Sequence, residues 1–266
     1  MSDSALEVEG IRFRHPGAAR DALQGVTLRL DRGEIAGVVG PNAAGKSTLA
    51  RIAAGLVAPS AGVVRLGGTD VRALSRRERA LRVAFLAQDE PGDVPFTAGE
   101  IALMGRAPHL GLWALEGEAD REKAQAALEE LDAAQLADRP ASQLSGGERK
   151  RVYLARTFAQ GAPVLVLDEP TDALDLRHQA RLVEALRARA RQGGSALLVM
   201  HDLSLAAAAC DRVVLLREGS VAAAGTPAEV LRAEVLENVY GTGLDVFPHP
   251  RTGRPLVAVR ITPGTA

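Results

Sequence analysis

The sequence predicts an α/β fold with a mainly parallel sheet, an antiparallel β layer at its N-terminal end and an inserted α-helical subdomain. A fully apolar run at 35–39 enters a glycine-rich turn, and helical spacing follows it. Strand-like and helix-like segments alternate again after residue 160, which is typical of a parallel sheet. Between these regions, residues 92–159 carry helical patterns almost throughout, which indicates an insertion made of helices.

The first part of the chain predicts the antiparallel layer and the first parallel strand. Apolar residues alternate with polar ones at 6–8 and at 26–30, around a turn at Pro16-Gly17. The buried strand at 35–39 is followed by a helix, predicted from a stripe of Leu49, Ile52, Ala53 and Leu56.

The insertion is predicted to begin after a second buried strand at 83–86, where prolines and glycines around residue 92 break the regular pattern. Two helical stripes then indicate packed helices: Ala124, Ala127, Leu128 and Leu131, and later Val152, Ala155 and Ala159.

The sheet is predicted to resume with strands at 164–167 and 196–200, with a helix around Leu182 and Leu186 between them. A hairpin turned at Glu218-Gly219 follows. The predicted division is therefore a core of 1–91 and 160–240, a helical subdomain of 92–159 and a tail of 241–266.

The composition is that of a self-sufficient globular protein in a reducing compartment. Its 266 residues can bury a full core, and the one cysteine, Cys210, excludes an intramolecular disulfide. Residues 1–10 lack the features of a secretory signal, and no apolar run approaches the roughly 20 residues of a membrane helix. A net charge of -1 and 3% aromatic residues argue against nucleic-acid binding. We expect a cytoplasmic protein that meets a membrane only through a partner.

Residues 40–47 fit G-x-x-x-x-G-K-[ST] between a predicted strand and helix, which is the context of a phosphate-binding P-loop. Amides of such a loop converge on phosphate oxygens, Lys46 can reach the β- and γ-phosphates, and the Ser47 hydroxyl can ligate Mg²⁺. An ordinary turn with a capped helix is the competing explanation. The candidate nucleotide-binding residues here are Gly40, Pro41, Asn42, Ala43, Ala44, Gly45, Lys46, Ser47 and Thr48.

Two carboxylates, Asp168 and Glu169, end the apolar run at 164–167. Adjacent side chains on a strand point in different directions, so the two carboxylates can have different roles. We expect Asp168 to hold Mg²⁺ through water and Glu169 to accept a proton from the attacking water as general base. An acidic turn that ends the strand at Pro170 is the alternative.

The segment Leu-Ser-Gly-Gly-Glu at 144–148 opens a helix, and Ser145 with Glu148 fits a capping box. Gly146 and Gly147 in the first turn each weaken the helix by about 1 kcal/mol relative to alanine. This cost is easier to understand if an anion approaches the bared amides closely. A capping box alone is the plainer interpretation.

Taken in order, the P-loop, Leu-Ser-Gly-Gly-Glu and Leu-Asp-Glu-Pro at 167–170 resemble the nucleotide-binding subunits of ABC transporters over nearly the whole chain. The resemblance implies a RecA-like P-loop NTPase core that uses ATP and Mg²⁺. It also implies a head-to-tail dimer of two copies, in which Ser145, Gly146, Gly147 and Glu148 of one copy face the P-loop of the other. Ser145 and Gly147 would touch the γ-phosphate there.

Single residues match further positions of that family. Gln88 resembles the glutamine that senses Mg²⁺ and the attacking water, and His201 resembles the switch histidine that contacts the γ-phosphate. Asp175 matches the loop aspartate that communicates across the dimer, and His15 stands where an aromatic residue stacks on adenine. Their alternatives are a solvated amide, a core histidine, a helix N-cap and a surface histidine, respectively.

Three residues depart from the family pattern. Ala43 stands where many members have glycine, and a positive φ there would cost about 1–2 kcal/mol. Glu148 replaces the commoner glutamine; because a carboxylate on the γ-phosphate would repel it, we assign Glu148 to the helix cap or the ribose side. His15 offers weaker stacking than tyrosine.

The run Gly-Arg-Ala-Pro-His-Leu at 105–110 resembles the metal-chelate importer branch, which carries iron-siderophores, haem and vitamin B12. It implies an ATP-hydrolysing subunit on the cytoplasmic face of the plasma membrane, bound to a polytopic permease and indirectly served by a substrate-binding protein. We rank iron-siderophore first as cargo, then haem and cobalamin. An exporter motor and a soluble, non-transport ABC ATPase remain the alternatives.

Overall fold

The computed structural model describes residues 4–91, 93–110, 115–241 and 243–260. The strands are β1 (Ser4–Phe13), β2 (Leu23–Asp31), β3 (Ile35–Val39), β4 (Ala61–Leu66), β5 (Thr69–Asp70), β6 (Val83–Leu86), β7 (Val164–Asp168), β8 (Ser195–Val199), β9 (Arg212–Arg217), β10 (Ser220–Gly225), β11 (Leu244–Pro248) and β12 (Pro255–Val259). The α-helices are α1 (Lys46–Ala53), α2 (Arg76–Ala80), α3 (Ala98–Met104), α4 (Glu118–Glu130), α5 (Gly146–Ala159), α6 (Leu176–Arg191), α7 (Leu203–Ala209), α8 (Pro227–Val230) and α9 (Ala233–Tyr240).

The N-terminal layer is an antiparallel sheet of order β2-β1-β4-β5. Leu6 of β1 lies opposite Leu30 of β2 on one side and Leu66 of β4 on the other, and all three side chains are buried. Such alternation places one face of each strand against the core. The predicted antiparallel layer is therefore confirmed, and β4 and β5 extend it.

The larger sheet has the order β10-β9-β3-β8-β7-β6, and its strands run parallel except for the edge strand β10. Successive residues of β7 enter different hydrophobic clusters: Val164 and Val166 pack with α1, whereas Leu165 and Leu167 pack with the helices on the other face. Since both faces are covered, the central strands β3, β8 and β7 are apolar except for Ser195 and Asp168 at strand ends. This confirms the predicted α/β fold.

Between β6 and β7, the three helices α3, α4 and α5 pack together. Both predicted stripes are buried in the cluster that these helices share with one face of the large sheet. Gly92, where the predicted subdomain begins, lies outside the described residues. No helix in the described part of the chain is long and apolar enough to cross a bilayer.

The structure differs from the sequence prediction at the end of α1. The predicted stripe runs to Leu56, but the helix ends at Ala53 and Leu56 is 53% exposed. Gly55 has a φ of 68°, and the Leu56 amide donates to the Arg51 carbonyl, so the chain closes the helix in a left-handed turn. The prediction that Leu56 belongs to this helix is wrong.

Candidate active site

The loop between β3 and α1 depends on two glycines. A Cβ at Gly40 would lie 2.2 Å from the Leu216 carbonyl oxygen, and one at Gly45 would lie 2.5 Å from the Ala22 carbonyl oxygen. Main chain that runs this close admits only glycine. Ala43 has a φ of 60°, so the left-handed strain of about 1–2 kcal/mol applies at this position.

Lys46 opens α1 with its ammonium group directed back into the loop. Its Nζ donates to the carbonyl oxygens of Gly40 at 2.8 Å and Pro41 at 2.9 Å, and the residue is only 5% exposed. Burial lowers the pKa of Lys46, whereas the nearby carboxylates of Glu169 and Asp168 raise it. The loop and the two carboxylates therefore hold a cation in place at the start of the helix.

Asp168 ends β7 fully buried beside the P-loop. The Ser47 hydroxyl donates to Asp168 Oδ1 at 3.1 Å, while Oδ2 is buried and has no hydrogen-bond partner among the described residues. Burial raises the pKa of this carboxyl group. A hydroxyl and a carboxylate oxygen are ligands that Mg²⁺ prefers, and an orphaned buried oxygen needs such a partner. The residues present therefore fit Mg²⁺.

The Glu169 carboxylate is hydrogen-bonded to side chains from two other segments of the chain. Gln88 Nε2 donates to Glu169 Oε2 at 2.8 Å, and His201 Nε2 is hydrogen-bonded to Oε1. The carboxylate is buried, and this burial raises the pKa of Glu169, as does the neighbouring Asp172. Its backbone has a φ of 51° and its amide donates to the Val199 carbonyl at 3.1 Å. Gln88 and His201, predicted to act at the attacking water and the γ-phosphate, thus both meet the carboxylate of the predicted base.

These groups open into a cleft of about 540 Å³. His15 Nε2 lies 3.2 Å from Thr48 Oγ1 at its edge, and the imidazole packs edge-on against Phe13. Sequence reasoning missed Ala22, because only tertiary packing brings it to the loop. The cleft is lined by His15, Ala22, residues 42–48, Gln88, Glu169 and His201.

The structure does not bring the 144–148 segment to the cleft of its own chain. Ser145 caps α5 by accepting from the Glu148 amide, and Glu148 accepts in turn from the Ser145 amide at 2.8 Å and from Arg139 at 2.8 Å. A Cβ at Gly147 would lie 2.7 Å from the Ala173 carbonyl oxygen. A close contact within the chain therefore already requires glycine at 147.

Asp175 also lies away from the cleft and caps α6 by accepting from the His178 amide at 2.9 Å. The capping roles predicted for Ser145, Glu148 and Asp175 are thus observed. Sequence reasoning missed the buried Lys150, which contacts the Gln88 main chain; an isolated lysine inside a helix gives no signal of that contact.

The P-loop, the buried Asp168 and the Glu169 carboxylate, which is hydrogen-bonded to Gln88 and His201, define a P-loop ATPase. The chain belongs to the ABC transporter family, whose model matches residues 23–172. It is accordingly a nucleotide-binding, ATP-hydrolysing subunit of that family, as the sequence predicted.

Two relatives of this chain are hemin import ATP-binding proteins. The chain is 48% identical to the hemin import ATP-binding protein HmuV of Streptomyces coelicolor, over 96% of this chain and 89% of the relative. It is 43% identical to HmuV of Pseudomonas entomophila, over 96% of this chain and all of the relative.

Two solved structures share the fold. A chain from a structure described as a metal-chelate type ABC transporter in an inward-facing conformation superimposes with a TM-score of 0.81 at 26% identity, over 96% of both chains. A dimeric ATP-binding cassette in a post-hydrolysis state, bound to ADP and Pi, superimposes with a TM-score of 0.76 at 26% identity, over 83% of this chain and 98% of the cassette.

Proposed function

We propose that this subunit energises the import of haem through a membrane permease. The observation that carries the proposal is the identity of 48% to a hemin import ATP-binding protein over 96% of the chain. The likeness to a metal-chelate type transporter supports the same branch. Haem therefore moves ahead of iron-siderophore and cobalamin in our order of cargos.

The site supports hydrolysis by positioning and charge neutralisation. The loop amides and Lys46 bind the phosphates, and Ser47 with Asp168 holds Mg²⁺. Bound Mg²⁺ supplies charge neutralisation at the phosphate oxygens. Glu169 takes the proton of the attacking water on its carboxylate, which Gln88 and His201 keep oriented. His15 and Thr48 lie at the edge of the cleft, where the adenine would stack on the imidazole.

Two copies are proposed to act head to tail. Ser145 is exposed and Gly147 partly exposed at the start of α5, and both lie away from the cleft of their own chain, so they are free to meet the γ-phosphate of a second copy. The Glu148 carboxylate is held by the Ser145 amide and Arg139, which keeps its charge off that phosphate. The dimeric form of a structural relative supports this arrangement.

The remaining partners follow from the family. We propose that residues 92–159 form the subdomain that contacts a polytopic permease, that 1–91 and 160–240 form the nucleotide-binding core, and that 241–266 form a tail. A substrate-binding protein delivers the cargo to the permease. The subunit then lies at the cytoplasmic face of the plasma membrane, attached through its partner.

The variant Glu169→Gln tests the catalytic assignment. We expect it to bind ATP as the wild type does and to lose turnover, because the amide cannot accept the proton. Glu237→Gln, a half-exposed carboxylate on α9, is the control and should retain full ATPase activity. Hydrolysis by Glu169→Gln at a rate near that of the wild type would refute the assignment.

The cargo is tested on the complex. The tagged chain is purified from its native membrane with its permease, and its ATPase activity is measured with the cognate binding protein loaded with haemin, a ferric siderophore or cobalamin. Stimulation by haemin alone is the expected result. Stimulation by another chelate would leave the importer assignment standing and change the cargo, and absence of a permease would refute the transport role.

A further inference from the structure

Helix α5 holds the segment that carries Gln88 through two side chains one turn apart. Lys150 Nζ donates to the Gln88 carbonyl at 3.1 Å, and Tyr153 Oη donates to the Pro91 carbonyl at 2.7 Å. Residues at i and i+3 share one face of a helix, so both ties come from the same face. Lys150 is 6% exposed and Tyr153 is 3% exposed. The path of the chain after β6 is therefore set by where α5 lies.

Lys150 is also a buried cation with acidic side chains in its surroundings. Burial lowers the pKa of Lys150, and the negative charges of nearby carboxylates oppose this lowering: those of Glu90, Asp172, Asp168 and Glu169. The buried Glu90 Oε1 has no hydrogen-bond partner in the part of the chain that the structure describes. Burial of an ammonium group is costly unless it is compensated by opposite charge and hydrogen bonds. The Gln88 carbonyl is the hydrogen-bond acceptor that the described structure gives to this buried ammonium group.

The contacts form a continuous line from the start of α5 to the proposed base. Ser145 caps the helix, Lys150 on the same helix holds the Gln88 main chain, and the Gln88 side chain donates to Glu169 Oε2. A rotation of α5 relative to the large sheet would move the Gln88 amide with respect to the Glu169 carboxylate.

We propose that Lys150 is a positioning residue for ATP hydrolysis, which places the Gln88 amide on Glu169 according to the orientation of α5. This inference rests on the proposed role of Glu169 as general base. Helix α5 begins with the segment proposed to meet a second copy. Docking of that copy would therefore change the position of the Gln88 amide relative to the Glu169 carboxylate through Lys150. ATP binding by the P-loop does not pass through this contact.

The test uses Lys150→Met, which keeps the length of the side chain and removes the donor, and Lys150→Gln, which retains a shorter N–H donor. We expect kcat to fall about 10- to 100-fold in Lys150→Met, as for the loss of a hydrogen bond from a charged donor. The Kd for nucleotide and the KM should stay within about twofold. Lys150→Gln should recover part of kcat, and Arg149→Met, a neighbouring cation on the same helix, should match the wild type.

A double-mutant cycle separates positioning from a merely structural role. In a Gln88→Ala background, Lys150→Met should cause no further loss of kcat, because the side chain that transmits its effect is gone. Multiplied losses, or a raised KM at unchanged kcat, would overturn the proposal. If Lys150→Met does not fold, Lys150→Gln is placed in the same cycle, and its smaller loss should likewise vanish.

Different results would refute the role of Glu169 as general base and the positioning role of Lys150. If Glu169→Gln hydrolyses ATP normally, the assignment of the base is wrong. If Glu169→Gln is inactive while folded Lys150→Met turns over like the wild type, only the positioning role of Lys150 is wrong.

Discussion

Replacement of Arg106 by methionine measures what a buried arginine contributes to the helical insertion. The Arg106 side chain is 4% exposed, its Nε donates to Asp120 Oδ1 at 3.0 Å, and its Nη1 donates to the Ala159 carbonyl at 2.7 Å. Methionine keeps much of the apolar stem packed, but it leaves the Ala159 carbonyl and the carboxylate without their donor. Asp120 is 18% exposed and can be hydrated, so the main cost is the Ala159 carbonyl left without its donor, about 1–3 kcal/mol.

The assay is thermal unfolding followed by circular dichroism, with urea unfolding as a second measure. At about 2–4 °C per kcal/mol for a chain of this size, the melting temperature should fall by about 2–12 °C. The control is Arg72→Met, because Arg72 is 59% exposed and its pair with Asp70 is open to solvent; its melting temperature should equal that of the wild type within error. Equal shifts for the two variants would refute the reasoning.

Three further predictions concern single positions. Ala43→Gly should raise stability by up to about 1 kcal/mol, because relief of the left-handed strain exceeds the added chain entropy, whereas Ala44→Gly should lower it in the same denaturation assay. His15→Tyr should lower the Kd for a fluorescent ATP analogue and His15→Ala should raise it; equal values would exclude stacking on this residue. Burial raises the pKa of Cys210 from its ordinary value of 9.0 to about 12, so the unfolded chain loses the thiol proton at a lower pH than the folded chain does. The free energy of unfolding should therefore fall between pH 9 and pH 12 more steeply in the wild type than in Cys210→Ala. Equal slopes of the free energy of unfolding against pH would contradict this prediction.

The sequence predicts the parallel strands well because their signal is local. The strands at 35–39 and 83–86 have the predicted bounds, since each is an apolar run that is enclosed by turn residues. The strand predicted at 164–167 extends by one residue to Asp168, and the one predicted at 196–200 lies one residue earlier. Differences of this size arise because strand ends depend on hydrogen bonds to neighbours that the sequence does not identify.

The unpredicted elements are those that tertiary packing stabilises. Helix α7 has the sequence Leu-Ser-Leu-Ala-Ala-Ala-Ala, whose alanines give no amphipathic contrast, and it starts where Asp202 accepts from the Leu205 amide. The strand β5 and the helix α8, of two and four residues, are also below the length at which periodicity is informative. At the active site, the P-loop residues are predicted from their spacing in the sequence. The contact of Lys150 with Gln88 is not, because it joins positions 62 residues apart.

Two residues of the active site, Ala43 and Glu169, have strained backbone conformations. Within the described residues, the non-glycine residues with a left-handed φ are Ala43, Asp132, Glu169, Ala173 and Glu218. Glu218 serves a hairpin turn, where such a φ is ordinary. Ala43 lies in the P-loop, Glu169 carries the proposed base, and the carbonyl of Ala173 faces Gly147 at the start of α5.

The left-handed conformations of Ala43 and Glu169 each cost about 1–2 kcal/mol. Such a conformation persists only where contacts with the surrounding structure hold it in place. For Glu169 the determinants are visible: its amide is tied to the Val199 carbonyl, and its carboxylate is held by Gln88 and His201. If these side chains hold the carboxylate against backbone strain, loss of either one should let Glu169 relax. The stability lost in His201→Ala should then be smaller than the lost hydrogen bond alone predicts, because part of the strain is released with it.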